Sequence, residues 1–151
     1  MDLQIINAII IFRSAHIITS GAFLITAIWL IIRSARGVIK NLPYTTLDKF
    51  LSYTFIVLLY LQLVFGLLIF AGPVYTDNYG VNTEGALKLV SKRFWPIEHI
   101  IFMLFALFIA NVGLIFSNQA PESKEKHKKT LIYYAIAVIM IALSIIAVYL
   151  P

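Results

Sequence analysis

Arg93-Phe94-Trp95-Pro96-Ile97-Glu98-His99 stands at the mouth of an apolar run that continues to about Phe116. Trp95 suits the headgroup level of a bilayer, and Pro96 suits the first turn of a helix, where its missing N–H costs nothing. The run that follows is long enough to cross a membrane as a helix, which sets His99 just inside the hydrocarbon. An ionisable side chain at that depth is costly, so a functional counterpart for it is sought elsewhere in the chain. The other histidine embedded in apolar sequence is His16, whose setting Ala15-His16-Ile17-Ile18 echoes Glu98-His99-Ile100-Ile101.

The composition agrees with a membrane protein. The 151 residues are 61% hydrophobic and have a mean hydropathy of +0.92, whereas a soluble domain is nearer half apolar and a quarter charged. This length allows one compact bundle over residues 1–151 and no separate soluble domain of useful size. There is no cysteine, which rules out a disulfide framework, an iron–sulfur cluster and a thiolate-bound haem, and leaves histidine as the strong nitrogen ligand for a metal. The net charge of +5 does not point to nucleic acid, because the lysines and arginines cluster in short connectors beside apolar spans. That distribution is the mark of membrane orientation.

Four spans follow from the pattern. The first covers about residues 3–33 and is read as a retained helix rather than a cleaved signal, ended by Arg33, Arg36 and Lys40 and broken by Gly37 and Pro43. Thr46 or Asp48 then caps a second helix, over about 47–71, which Gly72-Pro73 stops. The long polar connection carries Leu87, Val90 and Phe94 at helical spacing opposite Lys88, Ser91 and Lys92, so a short amphipathic helix is expected at the interface over about 83–94. The third and fourth helices cover about 96–117 and 129–150, separated by the charged run Lys124-Glu125-Lys126-His127-Lys128-Lys129. His127, within that run, is read as a solvated interface residue, and Tyr133, Tyr134 and Tyr149 suit the aromatic belts.

The expected fold is therefore an all-α, integral membrane four-helix bundle in up-down-up-down order, with a short interfacial helix between helices two and three. The first and third connectors carry the excess of Lys and Arg. They are assigned to the cytoplasm, with both termini outside a bacterial inner membrane.

Depth can then be counted. His16 and His99 precede the cytoplasmic ends of their helices, at Arg33 and near Ser117, by almost the same number of residues. At about 1.5 Å per residue their heights differ by only roughly 2 Å. In this bundle order the two helices are diagonal neighbours, so the imidazoles can face each other across the core and grip one flat iron porphyrin. A zinc site would want four ligands, and no third or fourth candidate lies at that depth. Arg13 and Arg93 precede the two histidines on the outer side and are candidates for the propionates, since a guanidinium binds a carboxylate in bidentate fashion. Gln62 and Gly66 share a face of helix two, where the glycine would admit a ring and the amide would hydrogen-bond towards the core. Glu98 is a candidate proton carrier or hydrogen-bonding group.

Each of these residues also has a plainer reading. A histidine near a helix end can hydrogen-bond a backbone carbonyl or water, Arg13 and Arg93 can snorkel to headgroups, and Glu98 can be merely hydrated. Gly66 can be a helix-packing contact and Gln62 an interhelical hydrogen bond.

Tyr44-Thr45-Thr46-Leu47-Asp48-Lys49, then Leu61-Gln62-Leu63 with Gly66-Leu67, then Arg93 through His99, then Lys126-His127-Lys128-Lys129 before an apolar helix make up a recognisable series. In it the chain resembles a family of short bacterial four-helix membrane proteins labelled cytochrome b or cytochrome b-like, most clearly in the segment Arg-Phe-x-x-x-Glu-His. The resemblance implies one b-type haem. Together with the residues it supports an electron carrier between quinone and an outer-side redox protein, with Trp95, Lys88 and Lys92 on the docking or quinone-access surface. Two axial ligands leave no open position for oxygen chemistry, so electron transfer is favoured over a stand-alone enzyme, although a quinone-linked oxidoreductase belongs to the same class. The reading from a different class is a cofactor-free structural or accessory subunit of a larger membrane complex. A homo-oligomer is compatible with either, and a small transporter is disfavoured by the lack of paired Gly/Pro interruptions and midplane charges.

Overall fold

The computed structural model describes residues 3–71 and 95–146, and among them it is all-helical: α1 (Leu3–Lys40), α2 (Thr46–Phe70), α3 (Trp95–Gln119) and α4 (Ser123–Ile146). The helix expected over 83–94, and Arg93 with it, lie outside the described residues. All four helices are long and apolar enough to cross a membrane, so the chain is a multi-pass membrane protein. α1 packs against α2 and α4, and α3 packs against the same two, so α1 and α3 stand opposite each other.

The helix ends differ from the sequence expectation in an informative way. α1 does not stop near Arg33 but continues through Gly37 to Lys40. Asn41 then adopts a positive φ of 51°, and the Leu42 N–H bonds back to the Gly37 carbonyl at 3.1 Å. This is the left-handed closing turn that asparagine tolerates better than most residues. The N-cap of α2 is Thr45, one residue before the expected positions. Asp48 reaches back to the Thr45 N–H at 2.8 Å and accepts its hydroxyl at 2.6 Å. α4 likewise starts at Ser123, so the lysine run is its first turns rather than a loop.

Arg33 and Asp48 join α1 to α2. Arg33 donates from Nε to Oδ1 at 2.7 Å and from Nη2 to Oδ2 at 3.0 Å, a bidentate pair around a carboxylate whose side chain is 0% exposed. Beside it, Tyr44 Oη lies 3.3 Å from Ser52 and 3.5 Å from Thr130, and Ser117 is 2.9 Å from Thr130. This end of the bundle is thus closed by hydrogen bonds that involve every helix.

His127 belongs to the same end, and the expectation of a solvated residue is corrected. It is 1% exposed, packs edge-on against the Tyr44 ring at 4.9 Å, and lies so close to Gly37 that a methyl group there would overlap the imidazole. α4 turns a continuous buried stripe inward, His127, Thr130, Tyr134, Ala137, Ile141 and Ser144, and helical periodicity outranks the charge of the neighbouring lysines.

Inward of this level the core is hydrocarbon. Phe55 stacks between Phe23 and Tyr134, with both centroid distances 4.7 Å, and Ala27, Ala106, Ala110 and Ala137 are almost fully buried. Small residues let membrane helices approach closely. Gly113 is the extreme case, because a methyl group there would overlap Tyr133. Ile, Leu and Phe side chains on all four helices face outward, as a lipid-facing surface requires.

Two measurements check this packing. Gly37→Ala should destabilise the detergent-solubilised protein by about 1–3 kcal/mol through overpacking, whereas Gly21→Ala, with nothing within 4 Å of the added methyl, should leave thermal stability unchanged or raise it slightly. Arg33→Met strands the buried Asp48 carboxylate and should cost about 3 kcal/mol, read as a lower unfolding temperature.

Candidate functional site

The half of the bundle away from the Arg33–Asp48 pair contains a cavity of about 450 Å³. It is a half-open cleft, with exposed Leu24 and Ile145 at its edge. His16 and His99, from the opposed helices α1 and α3, both line it. The rest of the wall follows helical spacing. α1 supplies Ser20, Phe23 and Leu24 below His16, and α3 supplies Met103 one turn below His99. α4 supplies Val138, Ile141, Ala142 and Ile145, and α2 supplies Gln62. Residues three and four apart stack on one face of a helix, so each element presents a single stripe to the cavity.

The two histidines are held differently. On α1 the backbone is pinned. The Gln62 amide donates to the His16 carbonyl at 3.1 Å and to the Ser20 hydroxyl at 2.8 Å, and Ser20 itself donates to the His16 carbonyl at 2.7 Å. The His16 ring nitrogen Nδ1 is buried without a hydrogen-bonding group among the described residues. On α3 the ring is held, with His99 Nδ1 2.9 Å from Ser144 Oγ. The Ser144 hydroxyl lies 2.7 Å from the Ile141 carbonyl.

Among the residues singled out from sequence, His16, His99 and Gln62 come together around the cavity. Gly66 stands against His16 rather than in the wall, and a methyl group there would sit 3.7 Å from the imidazole Cε1, an ordinary contact. Arg13 and Glu98 are exposed and are not among the lining residues. Trp95 opens α3, and Arg93 lies outside the described residues. Ser20, Met103 and Ser144 were not singled out. Ser20 lies one turn from His16, and Ser144 is a hydroxyl at the end of the stripe that begins at His127, so both carried a periodic signal.

The donor set limits what the cavity can hold. Among the described residues no group of three or more His, Cys, Asp or Glu side chains converges, so a bare zinc ion would lack its usual three or four protein ligands. His16 on α1 and His99 on α3 line the same space, and two imidazoles beside an apolar wall are a donor set that a metal already held in a planar macrocycle would suit.

Gln62→Leu removes the clamp on the α1 turn and should cost about 1 kcal/mol, the scale of a hydrogen bond between membrane helices. Gly66→Ala should be tolerated without loss of thermal stability. The comparison of the two variants by thermal unfolding in one detergent separates the amide clamp from the glycine contact one turn away.

Comparison of the chain with protein-family models, with curated proteins and with solved structures found no match in any of the three.

Proposed function

We propose that this protein is a membrane-bound b-type cytochrome of the bacterial inner membrane, carrying electrons through one haem held between His16 and His99. The observation that carries the reading is the convergence of these two histidines, from opposed helices, on one apolar cavity of about 450 Å³, with a buried His16 ring nitrogen that has no hydrogen-bonding group among the described residues. A buried polar atom without a hydrogen bond is a cost that a ligand removes.

The helices alternate up-down-up-down in this reading. It is supported by contacts that pair residues in opposite order: Arg33 with Asp48 and His16 with Gln62, then Ser117 with Thr130 and His99 with Ser144. The excess of Lys and Arg in the connectors at the Arg33 end supports a cytoplasmic side for that end and an outer side for the two histidines. Haem bound there supplies a one-electron redox couple. The protein's own part is to orient two imidazoles, to surround them with Phe23, Met103, Val138 and Ile141, and to keep water from them. Burial of this kind, together with hydrogen bonds to the ligating rings, tunes the potential. The proposed exchange is between membrane quinone and a redox protein on the outer side, with Arg13 at the water-facing end as a propionate or headgroup contact.

A second reading has its own support. His99 is hydrogen-bonded by Ser144 as a packing histidine would be, which suits a cofactor-free subunit of a larger complex. A dithionite-reduced minus oxidised spectrum of the purified protein distinguishes the two. The cytochrome reading expects b-type bands that vanish in His16→Ala and in His99→Ala but persist in His127→Ala. A colourless wild type favours the accessory subunit, and bands retained in His99→Ala sink the pairing.

A further inference from the structure

We propose that the protein associates with a second copy of itself through the outer face of α2 and α3, where Tyr60 of each copy donates a hydrogen bond to Asn111 of the other. The inference stands apart from the haem reading, since neither residue lines the cavity.

The seam between α2 and α3 carries two polar rungs on its outer side. The Asn111 amide lies 3.5 Å from the Tyr60 hydroxyl, and the Asn118 amide lies 3.5 Å from the Tyr53 hydroxyl. Both tyrosines are about half exposed, and the rungs repeat after seven residues on each helix, roughly 10 Å apart. The Asn118 rung is at the end of α3, within reach of water and headgroups. The other rung is not, because Tyr60 and Asn111 each stand within one turn of the middle of their apolar spans. Lipid at that depth offers no hydrogen-bonding group, so polar atoms turned towards it are a cost until another chain meets them.

The atoms left over define that chain. Asn111 also donates to the Leu107 carbonyl at 2.8 Å, which fixes which end of the amide is NH₂. Both of its bonds therefore leave from nitrogen, and among the described residues its carbonyl oxygen accepts none. The Tyr60 oxygen accepts from that nitrogen, and the phenol hydrogen has no acceptor among the described residues. One donor and one acceptor side by side complement the same pair rotated by a half-turn, as a two-fold interface requires. Copies inserted in the same sense are related by an axis along the membrane normal, which keeps each residue at its own depth. Tyr60 then meets Asn111, and the second rung meets its own counterpart. A quinone carbonyl can only accept, so it would leave the Asn111 oxygen unmet. Aliphatic contacts alone select no face, because lipid tails are as apolar as leucine.

The chain has no cysteine, so donor and acceptor dyes can be attached through Lys40→Cys and energy transfer followed in phosphatidylcholine vesicles as the protein is diluted with lipid. The wild type should associate. Tyr60→Phe and Asn111→Leu should each weaken self-association about tenfold, since each removes both bonds between the copies. Thr26→Val, at an exposed α1 hydroxyl bonded within its own helix, should leave association unchanged. Mixing the two variants gives the sharpest arm. A Tyr60→Phe copy against an Asn111→Leu copy keeps one complete bond and sets phenyl against leucine, so the mixed pair should associate more tightly than either variant with itself. A bond confined to one chain predicts no such rescue. A mixture no tighter than the separate variants overturns the proposal, as does a wild type that is monomeric at every dilution, which would leave the rung to a lipid-soluble ligand such as a quinol.

Discussion

A carboxylate removed from solvent inside a membrane-spanning bundle has to be neutralised where it stands, and Asp48 is the place where this protein accepts that constraint. Its side chain is 0% exposed, and the Arg33 guanidinium meets both oxygens while the α2 N-terminus supplies the Thr45 N–H. Such a pair adds little net stability over a well-packed apolar alternative, because desolvation offsets much of the attraction. What it contributes is register. One geometry satisfies both charges, so the sliding of α1 along α2 is stopped at that level. The hydroxyls of Tyr44, Ser52, Ser117 and Thr130 do the same for the other helices at the same end.

Rigid helices carry that register to the other end. With Arg33 on Asp48 at one end, the Gln62 amide reaches the His16 carbonyl and the Ser20 hydroxyl at the other. With Ser117 at Thr130, Ser144 lies beside His99. Between the two polar levels lies the layer of Phe23, Phe55, Tyr134 and four alanines, in which the Tyr134 hydroxyl donates to the Ser52 carbonyl at 3.4 Å, while Asn111 on α3 is held by the Leu107 carbonyl at 2.8 Å. The two ends also differ in tightness. At the closed end Gly37 and Gly113 are pressed against His127 and Tyr133, whereas beside the cavity Gly66 makes only an ordinary contact with His16. The helices are packed more tightly at one end than at the other.

This division explains what was legible in the sequence. The four spans follow from apolar runs, which a linear sequence states directly, and counting along them picked out His16 and His99, which line one cavity. Helix ends were set too early at Arg33 and too late at Lys129, because charge marks the edge of the hydrocarbon while backbone hydrogen bonding continues beyond it. His127 was read from its lysine neighbours, although the spacing His127, Thr130, Tyr134, Ala137, Ile141, Ser144 was available and would have shown both the buried histidine and the serine opposite His99. The ion pair was out of reach for a different reason. Arg33 and Asp48 were each assigned a local task, helix ending and helix capping, and only the packing of α1 on α2 shows one bond serving both.

The same α4 stripe bears on what the cavity can hold. α4 is in contact with both α1 and α3, the helices that carry the two histidines, so its side chains help to set how far apart those helices stand. At the closed end the stripe presents His127 to Gly37 and Tyr134 to Phe55, large groups fitted against small or stacked ones. At the cavity end it presents Val138, Ile141, Ala142 and Ile145, with Ser144 turned to His99. Medium and small aliphatic groups leave the space that His16 on α1 and His99 on α3 both line. The helix that packs against α1 and α3 also carries the hydroxyl that meets His99. Its place along them is held by the Ser117–Thr130 bond at the Arg33–Asp48 end, so the width of that space and the Ser144–His99 contact depend on one register.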